Sequence, residues 1–187
     1  MNSTIDSSSC SCTRSMPWAT SVGELNDLIQ EVLKLMNGDL TARMVSVLTE
    51  FTSGLPPILS DRVQLQQVLI NLVLNAGEAL SQSANARTLT LGSSRGEGDG
   101  IHISVADTGG GLPPGDEEKI FERYHTTKAA GLGLGLSLSR SILMAHGGRL
   151  WADSDPGYGA RFHVILPEWK EVRHERSTTA GNSISGG

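Results

Sequence analysis

Asp107 is followed by Thr108, Gly109, Gly110 and Gly111, which sets a hydrogen-bond acceptor beside a stretch of bare backbone. The residues before it alternate, with Ile101, Ile103 and Val105 on one face and His102 and Ser104 on the other. Successive strand residues point to opposite faces, so Asp107 falls on the apolar, core-facing side of a strand that runs that far. A carboxylate there loses hydration, and only a donor offsets that cost. The glycines let backbone approach a ligand where a side chain would block it. A buried acceptor beside bare backbone suits a planar ring bearing an amino group, and adenine is the leading candidate.

A second constellation lies on a helix. Gln67, Asn71 and Asn75 recur every four residues among Val, Leu and Ile, which makes one polar stripe on an apolar helix. Asn is a poor helix former, so its repetition costs stability and calls for a reason. Such amides either bond neighbouring backbone or offer their oxygens to a hard cation. For Mg²⁺ the amide is a neutral ligand while phosphates supply the charge, and Asn75 is the residue assigned to that role. Further along, Gly131, Gly133 and Gly135 alternate with Leu132, Leu134 and Leu136 at the start of another helix. Backbone amides at a helix N-terminus bind phosphate with help from the helix dipole. A Gly-x-Gly pattern is also an ordinary turn, and a dinucleotide fold fits poorly because no strand leads straight into these glycines.

Several elements must position these groups. Leu25, Leu28, Ile29, Val32, Leu33 and Met36 form one face of a helix that Gly38 can end. A strand follows at 44–51, then a Gly-Leu-Pro-Pro turn at 54–57. Asp61 is an N-cap candidate for a helix over 61–82. Strands are expected at 88–93 and 101–107. Residues 113–130 read as a long loop, with a helical turn near 117–123. Leu134, Leu138, Ile142 and Ala145 mark a third helix, and strands at 149–152 and 160–166 form a hairpin through Pro156 and Gly157. Helices interleave with strands, yet short turns join several neighbouring strands, so the sheet is mixed and the fold is a two-layer α/β sandwich.

The chain of 187 residues is long enough for one domain with a core. Residues 1–20 and 170–187 are polar and read as a disordered leader and tail around a domain at 21–169. A net charge of −5 with no basic stripe argues against a nucleic-acid partner. No apolar run has the length of a transmembrane helix, and Cys10 and Cys12 suit neither a disulfide framework nor a zinc site. A cytoplasmic location is the expectation.

Taken in order, these motifs resemble the ATP-binding catalytic domain of bacterial sensor histidine kinases, in the superfamily that also holds gyrase and the heat-shock-protein-90 chaperones. The resemblance covers about 24–167. It rests on Asn71 and Asn75, on Asp107 with Gly109 and Gly111, and on Phe121 followed by Tyr124, Thr126, Thr127 and Lys128. It continues through Gly131, Gly133 and Gly135 to Pro156, Gly157 and Gly159. The resemblance implies a mixed, mostly antiparallel sheet covered on one face by helices, with residues 113–130 as a mobile lid over ATP. It implies that Asp107 accepts from the adenine amino group, that Asn75 ligates Mg²⁺ and that Asn71 lies beside the triphosphate. Gly109, Gly111, Thr126, Thr127, Gly131, Gly133, Leu134 and Gly135 complete the implied nucleotide site. Lys128 is the implied phosphate cation, although a lysine on a loop is equally at home in solvent. Many family members carry a basic residue where this chain has Glu78, so Glu78 is expected to face away from the phosphates and any phosphate cation to come from Lys128 or Arg123.

Such kinases phosphorylate a histidine on a helical dimerisation segment and pass the group to a response regulator. None of the five histidines precedes His102, and His125, His146 and His163 show no phosphoacceptor pattern. The chain is therefore expected to carry the ATP-handling half, inactive without a separate phosphoacceptor domain. Three rival functions differ in chemistry. Hydrolases of the gyrase and chaperone type, and serine kinases of the anti-sigma type, have Glu where this chain has Asn71, and an amide cannot take a proton from water. A non-catalytic ATP-sensing module would keep the ligand residues and dock a partner through its lid.

Overall fold

Asp61 ends a short strand and starts the longest helix of the domain. Its Oδ1 accepts the N–H groups of Val63 and Gln64 at 2.9 and 3.1 Å, satisfying two donors that a helix start leaves unpaired. The computed structural model describes residues 20–23, 25–83, 86–96, 98, 100–124, 133–155 and 157–168. The expected leader up to residue 19, lid positions 125–132 and the expected tail lie outside the described residues.

In chain order the elements are β1 (Thr20–Gly23), α1 (Leu25–Ala42), β2 (Ser46–Phe51), β3 (Ile58–Asp61), α2 (Arg62–Ser81), β4 (Thr88–Arg95) and β5 (Gly100–Asp107). A 3-10 turn (Lys119–Phe121), α3 (Gly135–Ala145), β6 (Arg149–Asp155) and β7 (Gly159–Pro167) follow. The main sheet has the order β2-β4-β5-β7-β6. Only the β2–β4 pair is parallel, so the sheet is mixed and mostly antiparallel. The helices cover one face. Leu69, Leu72, Val73 and Leu80 of α2 pack with Leu89, Leu91, Ile101, Ile103 and Val164, all buried. The burial of alternate residues along β5 and β7 is the period-two pattern that the sequence carries.

The structure departs from the expected elements at the end of α1, before α2 and in α3. Gly38 does not end α1, which runs on to Ala42. Gly38 is exposed with open space around it, and four further residues bury Leu40, so a glycine's helix penalty of about 1 kcal/mol is offset. The chain instead turns at Met44, whose φ is 57°. After the Pro-Pro turn the chain forms a further strand, β3, which pairs with β1 as a separate two-stranded sheet. Four-residue strands carry too little periodicity to be read from one sequence.

In α3 only Ile142 of the four residues that set the expected period lies on the core face. Leu134 and Leu138 are exposed, while Ser139, Ile142 and Leu143 are buried. The helix ends on His146, whose Nε2 accepts the Asp61 N–H at 3.0 Å while Nδ1 lies 2.8 Å from the Ile142 carbonyl. A neutral ring donating from Nδ1 and accepting at Nε2 satisfies both contacts and ties the end of α3 to the start of α2.

Candidate functional site

Strand parity places the Asp107 side chain at the core end of β5, and it is 6% exposed. Oδ1 accepts the Gly109 N–H at 2.8 Å. Burial pushes the carboxyl above the ordinary carboxylate range, against the opposing pull of the Gly109 and Ala160 N–H groups. A carboxylate offers about four lone-pair sites, so two N–H groups leave acceptor capacity for a ligand.

The glycines around Asp107 are demanded by contact. A Cβ on Gly109 would lie 2.7 Å from Asp107 Oδ1 and 3.1 Å from Ala79 Cβ on α2. Gly159, at φ 116°, starts β7 directly against the Asp107 carbonyl, where any Cβ would collide. The loop itself is tied to the β6–β7 hairpin: Gly157 N–H donates to Gly110 O at 2.9 Å, and Leu112 N–H to Ser154 Oγ at 2.6 Å. Gly111 adopts φ 77° where the chain passes that hairpin.

Asn71 and Asn75 are half-buried on α2, one turn apart, and Ala79 continues the same stripe. Gln67, the fourth member, is exposed at the outer end. The stripe joins two regions. At Asn71 it meets α3: Nδ2 donates to the buried Ser139 Oγ at 3.0 Å, and Oδ1 rests against Gly135 where a side chain would stand. At Ala79 it meets the Asp107 loop. Eight residues of helix separate these ends, about 12 Å of rise. The buried Asp107 carboxylate and the start of α3 therefore face one stripe of α2 from opposite ends.

Gly133 and Leu134 lead into α3, and the Gly133 carbonyl accepts the Tyr124 N–H at 3.0 Å. This bond closes the base of residues 125–132, which include Thr126, Thr127, Lys128 and Gly131 and lie outside the described residues. On the near side of that segment Phe121 is buried edge-on against Phe162, with ring centroids 6.4 Å apart. Arg140 of α3 lies 5.1 Å from the Phe121 ring centre and bonds Glu118 Oε2 at 2.8 Å. Arg123 is exposed. Glu78 acts on Arg43, whose pKa is raised first by its hydrogen bond to Asp39 and further by the Asp39 and Glu78 charges.

Sequence reasoning missed Ser139, Arg140 and Ala79. A signal for Ser139 existed, since it stands one turn after Gly135 in a helix otherwise buried through Ile142 and Leu143. What it bonds was not readable.

The family model for histidine kinase-, DNA gyrase B-, and HSP90-like ATPases matches residues 60–170. The sensor protein FixL of Bradyrhizobium diazoefficiens is 41% identical over 146 residues, covering 78% of this chain and 29% of FixL. The chain thus spans less than a third of that relative. The catalytic domain of histidine kinase ThkA, a solved structure, is 32% identical with a TM-score of 0.71, over 81% of this chain and 97% of that domain. Full-length ShkA in complex with AMPPNP matches at 30% identity and a TM-score of 0.71, over 80% of this chain and 31% of ShkA. A buried carboxylate beside a glycine run, a glycine-lined helix start and an asparagine stripe between them are carried on the fold of these proteins, and the chain belongs to the histidine kinase-, DNA gyrase B-, and HSP90-like ATPase family.

Proposed function

We propose that this chain binds Mg-ATP and transfers the γ-phosphoryl group to a histidine on a separate helical dimerisation domain, from which a response regulator takes it. The observation that carries the reading is the Asn71–Asn75–Ala79 stripe, which runs from the start of α3 to the Asp107 loop. In this reading Asp107 accepts from the adenine amino group and the Gly109 backbone passes close beside the ring. Asn71 and the N-terminus of α3 flank the triphosphate, with Gly131, Gly133, Leu134 and Gly135 as the backbone that meets it. Thr126, Thr127 and Lys128 come from the segment that covers it, and Lys128 balances phosphate charge.

The residues present fit Mg²⁺ on chemical grounds. Among the described residues no group of three His, Cys, Asp or Glu forms a protein cage. Half-buried amide oxygens beside a triphosphate suit a cation that keeps water and phosphate ligands. Asn75 would hold it, and the bound ion would neutralise charge on the phosphates. Asn71 in place of a carboxylate leaves water unactivated, which favours transfer to an acceptor over hydrolysis. No helix among the described residues is long and apolar enough to cross a membrane, and the domain works in the cytoplasm in this reading.

Titration calorimetry with and without Mg²⁺ tests the assignment. Wild type should bind ATP in the micromolar range, about −8 kcal/mol, with Mg²⁺ strengthening the binding. Asn75→Ala should lose that dependence on the ion. Equal affinity with and without Mg²⁺ in both proteins removes Asn75 as the ligand.

A further inference from the structure

The side-chain amide of Asn71 is held on both of its ends by α3. Ser139 is 2% exposed, and its Oγ takes one N–H of the amide at 3.0 Å. Gly135, one turn earlier on the same helix, leaves its Cβ position to the Asn71 oxygen. The last torsion of Asn is broad and roughly two-fold, so an unheld amide samples many orientations. Here the hydroxyl consumes one donor, and the missing Cβ gives the oxygen the place it holds against Gly135. One N–H and the oxygen lone pairs are then left in a set direction. A buried serine in the middle of a helix would otherwise be a weak choice, because Ala packs there at no polar cost.

We infer that Ser139 is a positioning residue that fixes the Asn71 amide for the phosphate end of the nucleotide. The inference rests on the reading of Asn71 as a phosphate-side residue and adds the group that orients it. It concerns phosphates alone, because the adenine end is built separately by Asp107, Gly109 and Gly159.

The test measures affinity for Mg-ATP and for adenosine, which has the ring without the phosphates. Ser139→Ala removes the hydroxyl, and Ser139→Cys keeps the shape with a much weaker acceptor. Both should weaken Mg-ATP by roughly two- to tenfold, the span of one net hydrogen bond, and leave adenosine unchanged. Combining Ser139→Ala with Asn71→Ala should cost no more than Asn71→Ala alone, since the two residues act as one unit. Loss of ATP and adenosine affinity in equal measure, or no loss in either serine variant, overturns the inference. If Asn71→Ala weakens Mg-ATP and the serine variants do not, the inference about Ser139 fails while the role of Asn71 stands. If Asn71→Ala also leaves Mg-ATP unchanged, both fall. A measurement on the unaltered protein guards against poor folding of the variants. The Asn71 side-chain N–H that meets Ser139 should exchange with solvent much more slowly than a free amide, and exchange as fast as in free solvent counts against the anchor.

Discussion

At the scale of single residues, Asp107 concentrates opposing forces. Burial disfavours its charge, two N–H groups restore part of the stabilisation, and an adenine amino group would supply more. Asp107→Asn keeps size but turns one acceptor oxygen into a donor facing that amino group. An unpaired buried partner costs on the order of 1–3 kcal/mol, so ATP affinity should fall roughly ten- to a hundredfold. GTP carries a carbonyl where adenine has that amino group and should lose less, and equal losses for both nucleotides would remove the ring-reading role. The raised carboxyl carries a second consequence. Near its pKa the free protein holds part of a proton there, whereas a bound amino donor favours the ionised form. ATP binding should therefore release protons at mildly acid pH and release none near pH 8. Calorimetry in buffers of different ionisation heat reads this number directly, and proton uptake at acid pH would contradict the assignment.

At the scale of elements, the open face of the sheet holds a titratable group of its own. His102 on β5 and His163 on β7 approach at 2.8 Å between Nε2 and Nδ1, and Trp151 on β6 stacks on His163 with centroids 5.0 Å apart. Asp153 Oδ2 on β6 lies 3.0 Å from His163 Nε2, Ser94 on β4 faces His102, and Arg149 lies over Trp151. Burial lowers the pKa of His102, helped by His163 and Arg161. Burial also lowers that of His163, with Asp153 opposing and Arg161 adding to it. A lowered histidine is neutral in the fold where the unfolded chain already binds a proton. Stability should then fall as pH drops from about 6.5 toward the folded values, because the unfolded state takes up more protons. Denaturant melts at pH 7.5 and pH 5.5 check this, with the paired His102→Gln and His163→Gln protein showing a flatter profile. An unchanged slope would mean that other groups set the acid response.

At the scale of the whole molecule, the proposed nucleotide site lies at one end of the sandwich, and among the described residues no histidine stands beside Asn71, Asn75 or Asp107 as an acceptor. Phosphoryl transfer depends on placing the γ-phosphate in line with a nucleophile and on neutralising charge. Incubated alone with labelled ATP, the protein should gain almost no acid-labile phosphate and hydrolyse ATP slowly. Adding a dimeric helical domain from a matching sensor kinase should restore histidine phosphorylation in trans, and Asn75→Ala should abolish it. Strong labelling of the isolated chain at His146 would contradict the fold as well, because that ring accepts the Asp61 N–H.

Much of this was determined by sequence because it is local. Alternation along 101–107 put Asp107 on the core side, the spacing of Asn71 and Asn75 made one stripe on α2, and Asp61 announced that helix as its N-cap. Each of these follows from the period of one strand or one helix, which the chain carries wherever it is placed. The extension of α1 past Gly38 was hidden, because burial of Leu40 outweighs a glycine's local preference. The β1–β3 sheet was hidden too, since pairing partners some forty residues apart leave little mark on a four-residue strand. Only the tertiary structure decided that Asn71 meets Ser139, 68 residues away, that Gly109 abuts Ala79, and that Gly159 closes on the Asp107 carbonyl. Those contacts depend on how α3 and β7 lie against α2 and β5, and packing between elements is a property of the assembled core rather than of any one segment.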